Sequence, residues 1–259
     1  MSTSVELTQQ DRVARILFSS EKGIQLLSAS TRSQLSRVLD ELELLDDCRV
    51  AVFEARGRTF IAGADINELR AFNAETAEPF ARETQELLRR IDRLKPVTIA
   101  AIHAACAGGG CELALACDLR IAASSARIGL PEVSLGLVPG WGGSVRAVRL
   151  FGPAVARRMI LTAELLTADE ACKLGVVESV APDDEFRAVV NARVEQLLSH
   201  GPLACEAAKR LIAEFEGPDF DEQLRAEAAA FAKCYESGEA FEGTTAFIEK
   251  RKTNWGSSP

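Results

Sequence analysis

The chain opens with two segments in which apolar and polar residues alternate, at 5–7 and 13–18, joined by the polar residues 9–11. A period of two predicts β-strands, and the short polar connection predicts a hairpin. From 30 to 45 the apolar residues recur every three or four positions, which predicts an amphipathic helix. The almost wholly apolar run 50–53 predicts a strand that is covered on both faces.

A succession of strand, glycine turn and helix start then occurs twice. The strand at 50–53 precedes a turn that runs from Gly57 to Gly63 and a polar helix start at 65–68. The apolar run 97–102 precedes three consecutive glycines and a helix-like segment at 111–117. This repetition predicts an α/β fold.

The following segment predicts two more strands, at 119–123 and 176–180. Between them, Thr167 and Glu170 have the spacing of a capping box at a helix start, and Gly175 suits the end of that helix. From about Asp184 onward the pattern is helical and contains no convincing strand.

The predicted organisation is therefore a core followed by a helical region. We expect an α/β core over residues 1–200 and a C-terminal helical region over 201–259, packed against the core or a neighbouring subunit. Gly201-Pro202 and Gly217-Pro218 punctuate that region.

Composition narrows the function classes. The 259 residues carry a net charge of -8 with a pI near 5.1, which argues against nucleic acid as the main partner. No apolar run approaches the ~20 residues of a membrane span, and the N-terminus has no apolar signal segment. Seven scattered cysteines without a C-x-x-C pair predict reduced thiols, no metal site and a cytoplasmic location.

The glycine turns are the first candidate for chemistry. Three glycines in succession cost backbone entropy, so they favour a site where the backbone approaches a ligand closely. Turns near Ala64 and Gly109 could aim two N–H groups at one oxygen, as an oxyanion requires. Close packing of helix on strand explains such turns equally well. Because no Lys-Ser/Thr pair follows the glycines, they do not form a nucleotide-triphosphate loop.

Two carboxyl groups are the second candidate. Glu112 follows the glycines inside an apolar stretch, and Glu132 stands between Pro131 and Val133. Carboxyl groups in apolar surroundings are either structural ion-pair members or an acid and a base whose pKa values are driven apart. We interpret His103, at the end of a buried strand, as a hydrogen-bonded core residue and Asp118 as a structural cap or ion-pair member.

Together these segments resemble the enoyl-CoA hydratase/isomerase (crotonase) family over about residues 5–255. The motifs follow one another in order and at plausible spacing: Ala62-Gly63-Ala64-Asp65, Gly108-Gly109-Gly110-Cys111-Glu112 with Cys117-Asp118, Pro131-Glu132 with Pro139-Gly140 and Gly142-Gly143, Leu161-Thr162-Ala163, and the seven residues from Ala246 to Lys252.

The resemblance implies a ββα spiral core, a helical C-terminal region that completes a neighbouring active site, and homotrimers that often pair as homohexamers. It implies that the amides of Ala64 and Gly109 hold the thioester oxygen of an acyl-CoA. Glu112 would act mainly as the base, and Glu132 would supply the proton to the α-carbon. The remaining substrate and CoA contacts it implies are Ala62, Asp65, Ile66, Phe247 and Lys250. No cofactor is implied, since coenzyme A is part of the substrate.

One segment and two single residues depart from the family pattern. Residues 23–27 replace an Asn-Ala-Leu-like segment on the adenine side, and Asn67 stands where a lysine is common. Trp141 fills a position that is usually small, so it could narrow the acyl pocket. The alternatives to a hydratase are an enoyl-CoA isomerase, a hydrolase or lyase of another acyl-CoA, or an RNA-binding or scaffolding relative.

Overall fold

The protein is described here by a computed structural model that covers residues 3–214 and 220–253. Its N-terminal hairpin pairs strand β1 (Ser4–Gln10) with strand β2 (Val13–Ser19) in antiparallel register, as the alternation predicted. Helix α1 (Ala29–Glu43) follows and buries its apolar stripe, with Ser28 as the N-cap. The predicted helix break at Gly217-Pro218 lies outside the described residues.

Three successive ββα units build the centre of the molecule. The first contains β3 (Val50–Ala55), β4 (Thr59–Ile61) and α2 (Ile66–Leu69), followed by the long helix α3 (Ala74–Arg93). The second contains β5 (Val97–Ile102), β6 (Ala105–Ala107) and α4 (Gly109–Leu115). The third contains β7 (Leu119–Ala123), β8 (Arg127–Gly129) and a 3-10 helix (Glu132–Leu135).

The units stack so that equivalent strands pair. β2, β3, β5 and β7 are parallel neighbours in one sheet, while β4, β6 and β8 are parallel neighbours in a second sheet. Each unit therefore places its helix start beside the helix start of the next. Because the two sheets enclose a common core, all seven residues of α4 are buried.

The second half of the chain closes both sheets. Strand β9 (Leu166–Thr167) pairs with β8, and strand β10 (Ser179–Ala181) pairs with β7. The capping box of Thr167 and Glu170 is confirmed, whereas the predicted strand at 176–180 begins only at Ser179. The two helices that precede β10 in this part of the chain are α5 (Gly143–Leu161) and α6 (Ala168–Lys173).

After β10 the described residues form helices and no strand, in agreement with the sequence pattern. These helices are α7 (Phe186–Leu198), α8 (Pro202–Glu214), α9 (Phe220–Glu236) and α10 (Glu239–Glu249). α9 lies along α3, and α10 crosses the 3-10 helix of the third unit. The C-terminal helices therefore pack against the core of their own chain.

Two further observations concern the molecule as a whole. Every cysteine is free, and Cys106, Cys111 and Cys117 are buried. Among residues 3–214 and 220–253, no helix has the length and apolar character that crossing a membrane requires.

Candidate active site

A cleft of about 630 Å³ lies where the helix starts of the three ββα units meet α9 and α10. Its volume is in the range of small-molecule sites. Eight of the nine site residues predicted from the sequence line it: Ala62, Ala64, Asp65, Ile66, Gly109, Glu112, Glu132 and Phe247. The ninth, Lys250, is exposed at the end of α10 and does not line the cleft.

The two glycine turns touch each other at the floor of the cleft. Gly63 and Gly108 have positive φ angles of 119° and 53°, which only glycine adopts readily. A Cβ atom on Gly63 would lie 3.9 Å from the amide nitrogen of Gly109. Within the described residues, neither the Ala64 amide nor the Gly109 amide donates a hydrogen bond. Both N–H groups are therefore available to a ligand atom in the cleft.

The packing interpretation of the glycines also holds for part of the run. A Cβ atom on Gly110 would lie 2.1 Å from the carbonyl oxygen of Ile61, so this glycine lets α4 pack closely on β4. A Cβ atom on Gly109 would lie 2.0 Å from Cζ3 of Trp141. The three glycines thus serve different needs: a left-handed turn, contact with an indole ring, and helix-on-strand packing.

Glu112 is held in the cleft wall by backbone amides. Its side chain projects from α4 and is 2% exposed. The amides of Trp141 and Gly143 both donate hydrogen bonds to Oε1, at 2.8 and 2.9 Å. Burial raises the pKa of Glu112 well above its usual value, as does the negative charge of Glu132 and of Glu227. The two amide donors oppose that rise because they favour the ionised form.

Glu132 has a different environment. It begins the 3-10 helix of the third unit, and both carboxyl oxygens are buried without a hydrogen-bond partner among the described residues. Burial is the main cause that raises the pKa of Glu132 to about 8. Gly108 faces this carboxyl group, since a Cβ atom there would lie in van der Waals contact with Oε1 of Glu132, at 3.4 Å.

Both carboxyl groups have a raised pKa, so each ionises less readily than a free glutamate. Burial is the main cause for each, the charge of Glu132 adds to the rise at Glu112, and the charge of Glu227 adds to the rise at both. The negative charge is more stable on Glu112, which accepts two amide hydrogen bonds at the start of α5. Glu132 has no such donors among the described residues, so the environments of the two carboxyl groups differ in how well they support the ionised form.

The first-unit residues Ala62, Asp65 and Ile66 form one rim of the cleft. The Ala62 amide donates to the carbonyl of Gln25 at 2.9 Å. Asp65 is the N-cap of α2 and accepts from the Asn67 amide at 2.9 Å. The Asn67 side chain donates to the same oxygen of Asp65 at 3.1 Å. Capping of α2 therefore explains the presence of Asp65, and the hydrogen bond to Asp65 explains Asn67.

The residues that we interpreted as structural lie away from the cleft. Asp118 pairs with Lys209 at 2.7 Å and accepts from the Thr98 amide at 2.7 Å, which confirms the ion-pair interpretation. Nε2 of His103 lies 3.0 Å from the carbonyl oxygen of Gly57. The ring is partly exposed, so the expected hydrogen bond is present although the histidine is not a core residue.

Two functional candidates on α9 were missed from the sequence. Phe231 lines the cleft beside Trp141, and Glu227 is a buried carboxyl group directly behind it. The sequence shows Glu227 only as a polar residue in an alanine-rich helix. Its significance arises from the tertiary contact of α9 with the loop between Trp141 and Ser144.

Comparison with known proteins places the chain in a family. A family model described as "Enoyl-CoA hydratase/isomerase" matches residues 8–258. The chain belongs to this family. It is therefore an enzyme, and the resemblance of its motifs is confirmed.

Curated relatives cover nearly the whole of this family member. It is 34% identical over 250 residues to a short-chain-enoyl-CoA hydratase of Clostridium acetobutylicum, with 96% of each chain covered. It is 35% identical over 255 residues to a crotonyl-CoA hydratase of Syntrophomonas wolfei, with 97% of each covered. An enoyl-CoA isomerase/hydratase of Mycosarcoma maydis is 38% identical, with 79% of this chain and 75% of that protein covered.

Solved structures of the family share the fold. An enoyl-CoA hydratase of Mycobacterium avium subsp. paratuberculosis superimposes with a TM-score of 0.86 at 27% identity, covering 94% of this chain and 98% of that one. One from Bacillus anthracis gives 0.78 at 32% identity, covering 98% of both. The expected crotonase-like ββα spiral with a C-terminal helical region is thus confirmed.

Proposed function

We propose that this enzyme adds water to a 2-trans-enoyl-CoA and forms the 3-hydroxyacyl-CoA. The observation that carries the proposal is the meeting of two unpaired amides and two buried carboxyl groups with different hydrogen bonding in one cleft. Relatives named short-chain-enoyl-CoA and crotonyl-CoA hydratase support it over almost the full length.

In this proposal the amides of Ala64 and Gly109 hold the thioester oxygen. Conjugation transmits the attack at C3 to that oxygen, where negative charge develops in the transition state. The second amide lies at the start of α4, so the positive end of the helix adds to the stabilisation. A donor of this kind typically lowers the activation barrier by about 3–4 kcal/mol.

The carboxyl groups complete the addition of water. Glu112 accepts a proton from the water as its oxygen bonds to C3, and Glu132 gives its proton to C2. The net change is the addition of one water molecule across the double bond. Proton transfer from Glu112 back to Glu132 restores the starting state. Neither a metal ion nor a redox cofactor takes part in these steps.

The coenzyme A part of the substrate would extend past α10. Phe247 is 60% exposed at the cleft, and Lys250 is exposed one turn further along. Arg251 pairs with Glu242 at 2.6 Å and with Glu249 at 2.7 Å, so its charge is largely matched within the chain. We propose Phe247 and Lys250 as contacts of the nucleotide part of coenzyme A.

The test is a spectrophotometric screen of 2-enoyl-CoA substrates with four to sixteen carbons. Hydration removes the conjugated double bond, so absorbance at the enoyl band should fall with time. Mass spectrometry should find a product heavier by one water. A purified enzyme that leaves the absorbance of every substrate unchanged would overturn the proposal.

The second candidate is a 3-enoyl-CoA to 2-enoyl-CoA isomerase. The same pair of carboxyl groups could take a proton from C2 and return one to C4, and a similar protein is named an isomerase/hydratase. With a 3-enoyl-CoA substrate, isomerisation creates the conjugated band, so absorbance would rise without a change in mass.

A further inference from the structure

The loop that holds Glu112 lies between two buried carboxyl groups. The amides of Trp141 and Gly143 donate to Glu112, at 2.8 and 2.9 Å. The intervening amide of Gly142 and the amide of Ser144 donate instead to Glu227, the latter at 3.1 Å. Alternate amides of one tetrapeptide therefore point to opposite sides, one side facing the cleft and the other facing α9.

This arrangement replaces an ordinary helix cap. The loop forms the start of α5, where the first N–H groups have no partner within the helix. The N-cap, Gly142, has a φ of 103° and no side chain that could accept from them. Glu112 and Glu227 accept from them together, so both share the positive end of α5.

Glu227 is itself held rigidly. It is 6% exposed, and the Ser144 hydroxyl donates to its second oxygen. From α3, Gln85 donates to the first oxygen of Glu227 at 3.4 Å and to the carbonyl of Gly140 at 2.9 Å. Three elements, α3, α9 and the start of α5, are thus tied together directly behind the cleft.

We propose that Glu227 is a positioning residue for the reaction: from α9 it fixes the loop whose amides orient the carboxylate of Glu112. The inference rests on the proposed function, in which Glu112 acts as the base. Because the loop has hydrogen bonds on both sides, losing those on the α9 side frees it to turn away from Glu112. The negative charge of Glu227 contributes to the raised pKa of both carboxyl groups. Burial raises the pKa of Glu227 itself, and the cation of Arg146, which donates to the Trp141 carbonyl at 3.0 Å, opposes that rise.

The test compares Glu227→Gln with Glu222→Gln, an exposed position on the same helix that undergoes the same change of charge. Gln fills the same volume but replaces one of the two acceptor oxygens with an NH2 donor, so one of the hydrogen bonds to the loop is lost and a donor faces a donor. We expect kcat for crotonyl-CoA hydration to fall about 10- to 100-fold, as for a misplaced catalytic group, with KM within about twofold. Glu222→Gln should match the wild type.

The pH profile separates positioning from mere support of the fold. Removing the negative charge of Glu227 makes ionisation of Glu112 and Glu132 easier, so both limbs of the profile should move to lower pH. A kcat within twofold of the wild type, or a lower kcat with an unmoved pH profile, would overturn the inference.

A second variant covers the case in which Glu227→Gln does not fold. Ser144→Ala removes one donor to Glu227 but keeps its charge, so kcat should fall several-fold without a shift of the pH profile. Wild-type kcat in that variant would count against the positioning role. An inactive wild-type enzyme in the same assay would instead contradict the proposed function, so the two failures are distinguishable.

Discussion

At the scale of single residues, the two carboxyl groups carry the first prediction. Glu112→Gln and Glu132→Gln should each lower kcat by about 10²–10⁴-fold, the usual contribution of general acid–base catalysis. The reason is that the first change removes the carboxylate and the second removes the acid. Binding of a saturated acyl-CoA, measured by calorimetry, should persist in both variants, since neither residue is a proposed CoA contact.

The control is again Glu222→Gln, which makes the same carboxylate-to-amide change at an exposed position. Near wild-type hydration by either Glu112→Gln or Glu132→Gln would show that the assigned roles are wrong. Loss of acyl-CoA binding together with loss of kcat would point to a misfolded site instead.

The contact between Gly109 and Trp141 supports a paired prediction. The nearest atoms to a Cβ on Gly109 belong to the indole ring, the closest at 2.0 Å, and not to backbone. Gly109→Ala should therefore displace Trp141 or the amide and reduce kcat strongly, by roughly 10²-fold. In the double variant with Trp141→Ala the overlap disappears, so much of the activity should return.

The single variant Trp141→Ala tests the pocket hypothesis in the same series. Trp141 is 3% exposed and lines the cleft, where its ring packs edge-to-face on Phe80. Removing the indole should raise kcat/KM for longer 2-enoyl-CoAs relative to the four-carbon substrate. An unchanged chain-length profile would show that the tryptophan does not limit the acyl group.

At the scale of elements, the close packing of α10 against the 3-10 helix leads to the next prediction. A Cβ on Gly243 would lie 2.0 Å from the carbonyl oxygen of Leu135, and a Cβ on Gly136 would lie 2.3 Å from that of Glu239. These contacts are backbone against backbone, so Gly243→Ala must move α10 away from the element that begins at Glu132. We expect a loss of about 1–3 kcal/mol in the free energy of unfolding and a lower kcat.

The matched control for Gly243→Ala is Gly201→Ala, where a Cβ would meet nothing closer than 3.7 Å. Thermal and urea unfolding of both variants measure the stability, and the hydration assay measures kcat. Equal stability of the two variants would contradict the backbone contact between α10 and the 3-10 helix.

The elements also show what the sequence could and could not predict. Strands β5 and β7 were predicted to the residue, because each is a largely apolar run bounded by proline or polar residues. Helix α3 was missed although its buried positions recur at helical spacing, since the polar Thr84 and Gln85 interrupt the apolar stripe. Helix α5 was missed because Gly152 and Pro153 break its pattern.

The same limit applies to the site. Glu112 and Glu132 stand out in the sequence because each is a charged residue among apolar neighbours. The three-residue strands β4, β6 and β8 are too short to show a period, yet they set the helix starts side by side. Glu227 depends on a contact across more than 80 positions of chain, and no local pattern reports such a contact.

At the scale of the whole molecule, assembly remains a proposal that follows from the family resemblance. Phe241, Leu161 and Ile212 are among the large apolar side chains that a single chain leaves exposed. We expect light scattering after gel filtration to give a mass of about three or six times the 27.9 kDa of one chain. A mass equal to one chain at micromolar concentration would contradict the proposal.

The stability of the whole molecule should depend on pH through Glu132, the proposed acid. The folded state raises the pKa of Glu132 to about 8, from an ordinary value of 4.5. Between these two pH values the folded chain keeps a proton that the unfolded chain has released. The contribution of this residue to stability is therefore fully present below pH 4.5 and is lost as the pH rises through 8.

Glu132→Gln removes this dependence, because an amide does not titrate. The variant and the wild type should have similar free energies of unfolding well below pH 4.5, where the side chain at this position is neutral in both the folded and the unfolded chain. At pH 9 the variant should be the more stable of the two, although it is the less active. Urea unfolding at both pH values measures the difference, with Glu222→Gln as the exposed control. If the wild type is the more stable protein at pH 9, Glu132 is not a buried, proton-bearing acid, and the assignment of the proton within the pair fails with it.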